Sequence, residues 1–252
     1  MNRRHLLVLA AALGACVHSP APWSDEWLAR EGKRFREDTA YRRAALEHSL
    51  TNHDNLYSQE RLTAYALGDR GWDLLPEWNP RSRPIDGARA AKLAAGEPPS
   101  LPADQPPLWD GVEPKTREEW IALGRRVFTE YPMRADVFME YALTKPDYAK
   151  EIGLERTADG GFAGLIEFKN VDGHVRAGIT CAVCHASVKD GALRIGTARR
   201  HFDYGRLRVQ YFADTGEPVD PELIRRMKTW GPGRADVTED NDEDPVAIPD
   251  LW

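Results

Sequence analysis

The chain has 252 residues, with 34 Lys and Arg against 40 Asp and Glu, so its formal net charge is −6. This length accommodates one large or two small domains, and a hydrophobic content of 42% excludes wholesale disorder. The acidic balance and the lack of a basic cluster argue against a nucleic-acid-binding protein. Only three cysteines are present, which excludes a disulfide-stapled scaffold.

Residues 1–15 are predicted to be a secretory signal peptide, with Arg3 and Arg4 as its charged start. The apolar run 6–15 has ten residues, whereas a membrane-spanning helix needs about 20. The run ends in the letters LGAC at Cys16, which resembles the bacterial lipoprotein box, where the signal is cut before an acylated cysteine. An ordinary signal peptide cut nearby is the alternative. By the same resemblance, Val17 in the second mature position implies the outer membrane.

The next segments predict helices and then a proline-rich stretch. Ser24 is placed to cap a helix over 24–50, and a second helix is predicted over 55–67. Nine prolines in residues 76–114 argue against a helix or a central strand. This stretch is a linker or, because its tryptophans need something to pack on, a strap over the surface.

The second half of the chain alternates short helices with turns. Thr116 and Glu119 form a capping box for a helix that stops at Pro132. Segments 165–169 and 175–179 flank Asp172-Gly173 and predict a β-hairpin. The remaining predictions are helices over 136–143, 146–152, 203–212 and 220–230, with turns at 159–161 and 190–191.

One motif points to a cofactor. Residues 181–185 read Cys-Ala-Val-Cys-His, a C-x-x-C-H pattern that resembles the haem-attachment motif of c-type cytochromes. On one helical turn, Cys181 and Cys184 project to the same side, so each thiol can add to one haem vinyl group. His185 then supplies the proximal nitrogen to the iron. The export signal agrees, because such haem is attached outside the cytoplasm.

Three other readings of the two cysteines stay open. Zinc needs four ligands, and only His174 and His201 could complete the set. A thioredoxin-like dithiol needs a βαβ context that the pattern does not provide. A disulfide across two residues is strained.

The sixth ligand of the iron is harder to assign. Met227 lies downstream of the motif, on an apolar stripe where a core methionine is the alternative. His201 is the other candidate for this ligand. It follows two arginines, and the alternatives are a surface histidine or one that faces a haem propionate. An iron without a second protein ligand would be five-coordinate and open to small ligands.

A further segment suggests a family. Residues 230–236, Trp-Gly-Pro-Gly-Arg-Ala-Asp, and the later Val246-Ala247-Ile248-Pro249 resemble bacterial di-haem peroxidase-like cytochromes and the cytochrome domain of rubber-oxygenase-like proteins. The resemblance covers about residues 151–252 and implies that Arg234 approaches a haem propionate; a turn arginine is the alternative. This chain has one haem motif where the di-haem pattern has two, which puts peroxidase or oxygenase activity in doubt.

The end of the chain is acidic and then apolar. Residues 236–252 hold seven acids and no base, a composition typical of a solvated loop rather than a calcium site. Such a patch could also steer a basic redox partner. The apolar ending suggests the N-terminal part of a longer cytochrome, the alternative being that Trp252 folds back onto the domain.

Together these features predict a mainly α protein: a signal peptide at 1–15, a helical extension with the proline-rich strap at 16–114, and a cytochrome c-like haem domain at 115–252. The expected function is one-electron transfer in the periplasm by a lipid-anchored c-type cytochrome with one covalent haem, rather than an enzyme. The alternative is a peroxidase- or oxygenase-like subunit with an open iron. Expected partners are redox proteins of the periplasm or membrane, and the lipid anchor would hold the protein at the membrane.

Overall fold

The computed structural model describes residues 19–42, 44, 78–236 and 245–251. The chain divides into two compact units, Met1–Ser49 and Leu50–Trp252. The signal peptide, Cys16, the helix predicted over 55–67, the acidic residues 237–244 and Trp252 lie outside the described residues. No helix in the described ranges is long and apolar enough to cross a membrane.

The described part of the first unit is helical. Helix α1 (Asp25–Glu37) begins at Ser24, whose side chain accepts a hydrogen bond of 3.2 Å from the Trp27 amide, as the capping prediction requires. The predicted single helix is interrupted at Asp38, whose carboxylate accepts from the Tyr41 amide at 2.9 Å. This side chain caps a new helical segment that starts at residue 39.

The described part of the second unit mixes helices and strands. Its helices are α2 (Gly87–Ala94), α3 (Arg117–Glu130), α4 (Val137–Leu143), α5 (Pro146–Glu151), α6 (Ala182–His185), α7 (Tyr204–Thr215) and α8 (Pro221–Trp230). Its strands are β1 (Ser82–Pro84), β2 (Arg134–Ala135), β3 (Leu165–Lys169), β4 (Val175–Ile179), β5 (Ala186–Lys189), β6 (Ala192–Ile195), β7 (Arg234–Ala235) and β8 (Val246–Ala247).

The strands form one larger sheet and two small ones. The four-stranded sheet has the order β1-β3-β4-β2, with antiparallel pairs throughout, while β5 pairs with β6 and β7 with β8. The predicted hairpin over 165–169 and 175–179 is confirmed, with Leu165 opposite Ile179. The predicted capping box is also confirmed at the start of α3, where the Thr116 side chain accepts from the Glu119 amide and the Glu119 side chain accepts from the Thr116 amide.

The prediction of a mainly α, cytochrome c-like fold is wrong. Of the described residues, 41% are helical and 17% lie in strands, and the second unit contains a four-stranded antiparallel sheet. The error arose because each strand beyond the hairpin is short. Strands of two to four residues, such as Arg134–Ala135, are too short to show an alternating pattern in the sequence.

The middle of the proline-rich stretch 76–114 forms a strand and a helix. The prolines at 84 and 98 leave an alanine-rich run between them, which forms α2 with Asp86 as its N-cap. Pro84 is tolerated because β1 is an edge strand. Counting prolines over the whole stretch concealed both elements.

Buried apolar side chains from the hairpin, α4, α7 and α8 share one core, which includes Ile179, Val183, Leu207, Met227 and Trp230. Val183 lies inside the C-x-x-C-H motif. The motif is therefore mounted directly on the core of the unit.

Candidate functional site

The C-x-x-C-H motif forms one helical turn immediately after β4. Cys181 is the residue before α6, and the His185 amide donates to the Cys181 carbonyl at 3.0 Å. This places the thiols of Cys181 and Cys184 on the same side of the turn. Both cysteines are free thiols and both are partly exposed.

The front of the turn rests against the segment that leads into β3. The Thr180 hydroxyl donates to the Gly164 carbonyl at 3.1 Å and accepts from the Ala182 amide at 3.2 Å. Gly164 has φ +85°, and a Cβ atom built on it would lie 2.2 Å from the Val183 nitrogen. Only glycine allows the two backbones to approach this closely.

The back of the turn is held by Arg199, which is 1% exposed. Its guanidinium donates to the Ala186 carbonyl at 3.0 and 2.9 Å, to Ala163 at 3.1 Å and to Ala182 at 3.3 Å. The Arg199 amide also donates to the Cys184 carbonyl at 2.9 Å. Burial lowers the pKa of this guanidinium, but the group stays protonated because arginine is not deprotonated in proteins.

The ring of His185 is oriented by the C-terminal segment. Its Nδ1 atom lies 3.0 Å from the Pro249 carbonyl oxygen. A carbonyl oxygen only accepts hydrogen bonds, so Nδ1 carries a proton in this contact, and the neutral form of the ring has its lone pair on Nε2. The ring is thus prepared to bind a metal through Nε2.

The segment that carries Pro249 is itself fixed at several points. The Ile248 amide donates to the Gly233 carbonyl at 2.9 Å, and the Leu251 amide donates to the Gly196 carbonyl at 2.8 Å. The Asp250 carboxylate accepts from the Ala198 amide at 2.7 Å, and this bond lowers the pKa of Asp250. Residues 245–251 therefore lie across the motif and hold the His185 partner in place.

Both thiols are protonated at neutral pH. Burial raises the pKa of Cys181, and burial raises the pKa of Cys184 to about 11 against the weaker opposing effect of Arg199. Neither cysteine resembles the low-pKa thiolate of a redox-active dithiol.

The two candidate distal ligands differ in their surroundings. Met227 is 1% exposed and belongs to the core cluster, on α8. The main chain of Met227 packs against Gly205 of α7, where a Cβ atom would lie 2.5 Å from its carbonyl oxygen. His201 is exposed, in the connection before α7. Neither residue has a hydrogen bond to the motif in the described part of the chain.

Arg234, the residue that the resemblance places near a haem propionate, is exposed on β7. Its backbone pairs with Ala247 and forms a bridge to Asp203. Gly233 before it has φ +72° and packs against the backbone of Arg200. The segment that carries the family resemblance thus holds strand β8, which continues into Pro249.

The geometry gives little support to a zinc site at the two cysteines. His174 and His201, the two histidines that could complete such a site, are both exposed. Across residues 19–42, 78–236 and 245–251, no three His, Cys, Asp or Glu side chains gather into a metal-binding group.

The same geometry fits a haem. Two free thiols lie on one side of a single turn, and the neutral form of a neighbouring imidazole has its lone pair on Nε2. Cys181, Cys184 and His185 would hold the group, through two thioether bonds and one bond to iron.

Sequence reasoning missed Gly164, Thr180 and Arg199, and it noted Pro249 only as part of a resemblance. No local pattern marks Gly164 or Thr180, because their partners lie far along the chain. Arg199 reads as a surface residue beside Arg200.

A comparison of the chain with protein-family models, with curated proteins and with solved structures finds no match.

Proposed function

We propose that the protein is a c-type cytochrome that transfers single electrons in the bacterial periplasm. The observation that carries the proposal is the His185 ring, whose Nδ1 atom is bound to Pro249 beside two free thiols on one helical turn. Orientation of a ligating histidine through its second nitrogen is the usual arrangement in metal sites. Bound haem would supply a one-electron iron couple.

Covalent attachment at this turn needs no oxidant. Each thiol of Cys181 and Cys184 would add across one vinyl double bond of a haem, with a sulfur–carbon bond formed and the thiol hydrogen transferred to the neighbouring vinyl carbon. Both residues are present as neutral thiols, which is the form that this addition consumes.

The chain's own residues then control the site. The Pro249 carbonyl accepts from Nδ1 of His185 and would make Nε2 a stronger donor to iron when haem is bound. Val183 and Ala182, both buried, fix the turn to the core so that the ring and the thiols keep their relative positions.

The proposal includes a location and a partner class. Acylation at Cys16 would anchor the protein to the outer membrane, since several acyl chains together give stable binding. The net charge of −6 and the acidic end of the chain suit a basic redox partner from the periplasm or the membrane. Partitioning between detergent and aqueous phases tests the anchor. We expect the wild-type protein in the detergent phase and Cys16→Ser in the aqueous phase.

The test of the haem is an absorption spectrum of the protein coexpressed with a cytochrome c maturation system. Spectra are recorded oxidised and reduced, before and after acid–acetone extraction. The proposal predicts haem that stays with the protein and is low-spin in both states. The matched control, Cys181→Ala with Cys184→Ala, should release all haem on extraction.

Other outcomes decide between the remaining functions. Covalent haem in a high-spin state would replace electron transfer by the peroxidase- or oxygenase-like alternative, because the iron would have an open position. No covalent haem in the wild-type protein would contradict the proposal and favour zinc or dithiol chemistry.

A further inference from the structure

Arg199 places a buried positive charge directly behind the C-x-x-C-H turn. The carbonyls of Ala182 and Ala186, to which its guanidinium donates, lie on either side of Cys184 and His185 in the chain. With 1% exposure, this charge is surrounded by protein, so water and salt screen it only weakly.

The environment of this arginine is unusual for a buried cation. Buried charges are normally paired with an opposite charge. In the described structure, the side-chain hydrogen bonds of Arg199 all end on main-chain carbonyl oxygens. Two described groups act on its charge from a distance: Glu155, whose carboxylate accepts from the Val188 amide, and Cys184.

Two consequences follow for a group bound at the turn. The planar fork of the guanidinium holds three carbonyls at once, which a lysine ammonium cannot reproduce with the same geometry. A fixed positive charge close to a redox centre favours the reduced state, because reduction adds a negative charge to the centre.

We propose that Arg199 is a positioning residue that fixes the C-x-x-C-H turn and raises the reduction potential of the group bound there. This inference rests on the proposed function, since it assumes that the turn carries a redox-active haem. It adds a role for a residue whose side chain donates its hydrogen bonds in the described structure to main-chain carbonyls and not to the thiols or the imidazole.

The first arm of the test measures the reduction potential of the full-length, haem-loaded protein. Arg199→Gln removes the charge and keeps an amide donor, whereas Arg199→Lys keeps the charge. Arg206→Met is the control, because Arg206 is an exposed arginine paired with Glu151. We expect Arg199→Gln to lower the reduction potential, with the equilibrium constant for reduction about tenfold smaller than in wild type. The potentials of the other two variants should stay near wild type.

The second arm needs no haem and measures amide hydrogen exchange in the apoprotein. We expect the amides of residues 182–186 to exchange several-fold faster in Arg199→Gln and in Arg199→Lys, with β3 and β4 unchanged. A wild-type protein without covalent haem would defeat the proposed function, while this arm would still report on the positioning role.

An Arg199→Gln protein with the wild-type potential and wild-type exchange would overturn the inference. Loss of near-ultraviolet circular dichroism in both Arg199 variants would also overturn it, because Arg199 would then serve the core as a whole rather than the turn.

Discussion

Two buried charges in the second unit are satisfied in opposite ways. Glu167 on β3 is 0% exposed and accepts from Arg89 at 2.9 and 2.5 Å, from Arg83 at 2.8 Å and from the Ser100 amide at 2.9 Å. Arg199 behind the C-x-x-C-H turn is equally buried but donates to main-chain carbonyls.

This difference in partners distinguishes a structural ion cluster at Glu167 from the candidate site at Arg199. Glu167 is neutralised by the two arginines, and together they tie residues 83–100 to the sheet. At Arg199 no carboxylate accepts from the guanidinium in the described structure. Its acceptors are the Ala182 carbonyl inside the motif and the Ala186 and Ala163 carbonyls beside it. A buried charge without a hydrogen-bonded carboxylate is costly, and a redox site at the neighbouring turn would account for its position.

The largest effect is expected from breaking the front of the turn. Gly164→Ala should lower the free energy of unfolding by about 4 kcal/mol, because the left-handed backbone and the clash with Val183 add together. The control is Gly173→Ala, where φ is +87° but nothing lies within 4 Å of the new Cβ, so only about 1–2 kcal/mol is lost. Chemical denaturation measures both variants, and equal losses would contradict this account of the turn.

Breaking the neutralised cluster should have the next largest effect. Glu167→Gln leaves Arg89 buried without its carboxylate, which should cost about 3 kcal/mol in the free energy of unfolding. Haem attachment to the folded variant should match wild type. Glu151→Gln, which breaks an exposed pair with Arg206, should change stability by less than about 1 kcal/mol. A Glu167→Gln loss as small as that of the control would show that the cluster is not what holds residues 83–100.

The smallest effect concerns the segment that orients His185. The pKa of Asp250 is lowered below its ordinary value of 3.8, so its bond to the Ala198 amide is present at neutral pH and is lost as the pH falls through the lowered pKa. Asp250→Ala should therefore expose the Ala198 amide to exchange at neutral pH, as read by nuclear magnetic resonance. In wild type the same exposure should appear only in acid.

The control for this prediction is Asp214→Ala, since the pKa of Asp214 is also lowered, to about 2, but by Lys145 at a different surface. Unchanged Ala198 exchange in Asp250→Ala would remove Asp250 from the account.

The elements that could be predicted from the sequence are those with local signals. The capping box at Thr116, the turn at Asp172-Gly173 and the proline after Asp220 each specify structure within a few residues. The edge strand at Ser82–Pro84 could not be predicted in this way, because it exists only through its pairing with Phe168 and Ile166. Long-range pairing therefore explains why a mixed fold read as a mainly α one.

The same division holds for the candidate site. The spacing of Cys181, Cys184 and His185 identifies the motif by itself. The residues that hold it, Gly164 and Arg199, act through backbone contacts formed only when distant segments meet. The haem chemistry of the site therefore stays a prediction from the sequence, and the fold adds the groups that orient the motif.

The most direct measurement of the central claim is the intact mass of the purified protein from cells that express a cytochrome c maturation system. The account predicts a wild-type mass increased by one haem, with the added mass mapped to the peptide that contains Cys181 and Cys184. The double variant Cys181→Ala and Cys184→Ala should show no added haem mass. A wild-type protein without the increase, purified folded from cells that mature a known c-type cytochrome, would contradict the account.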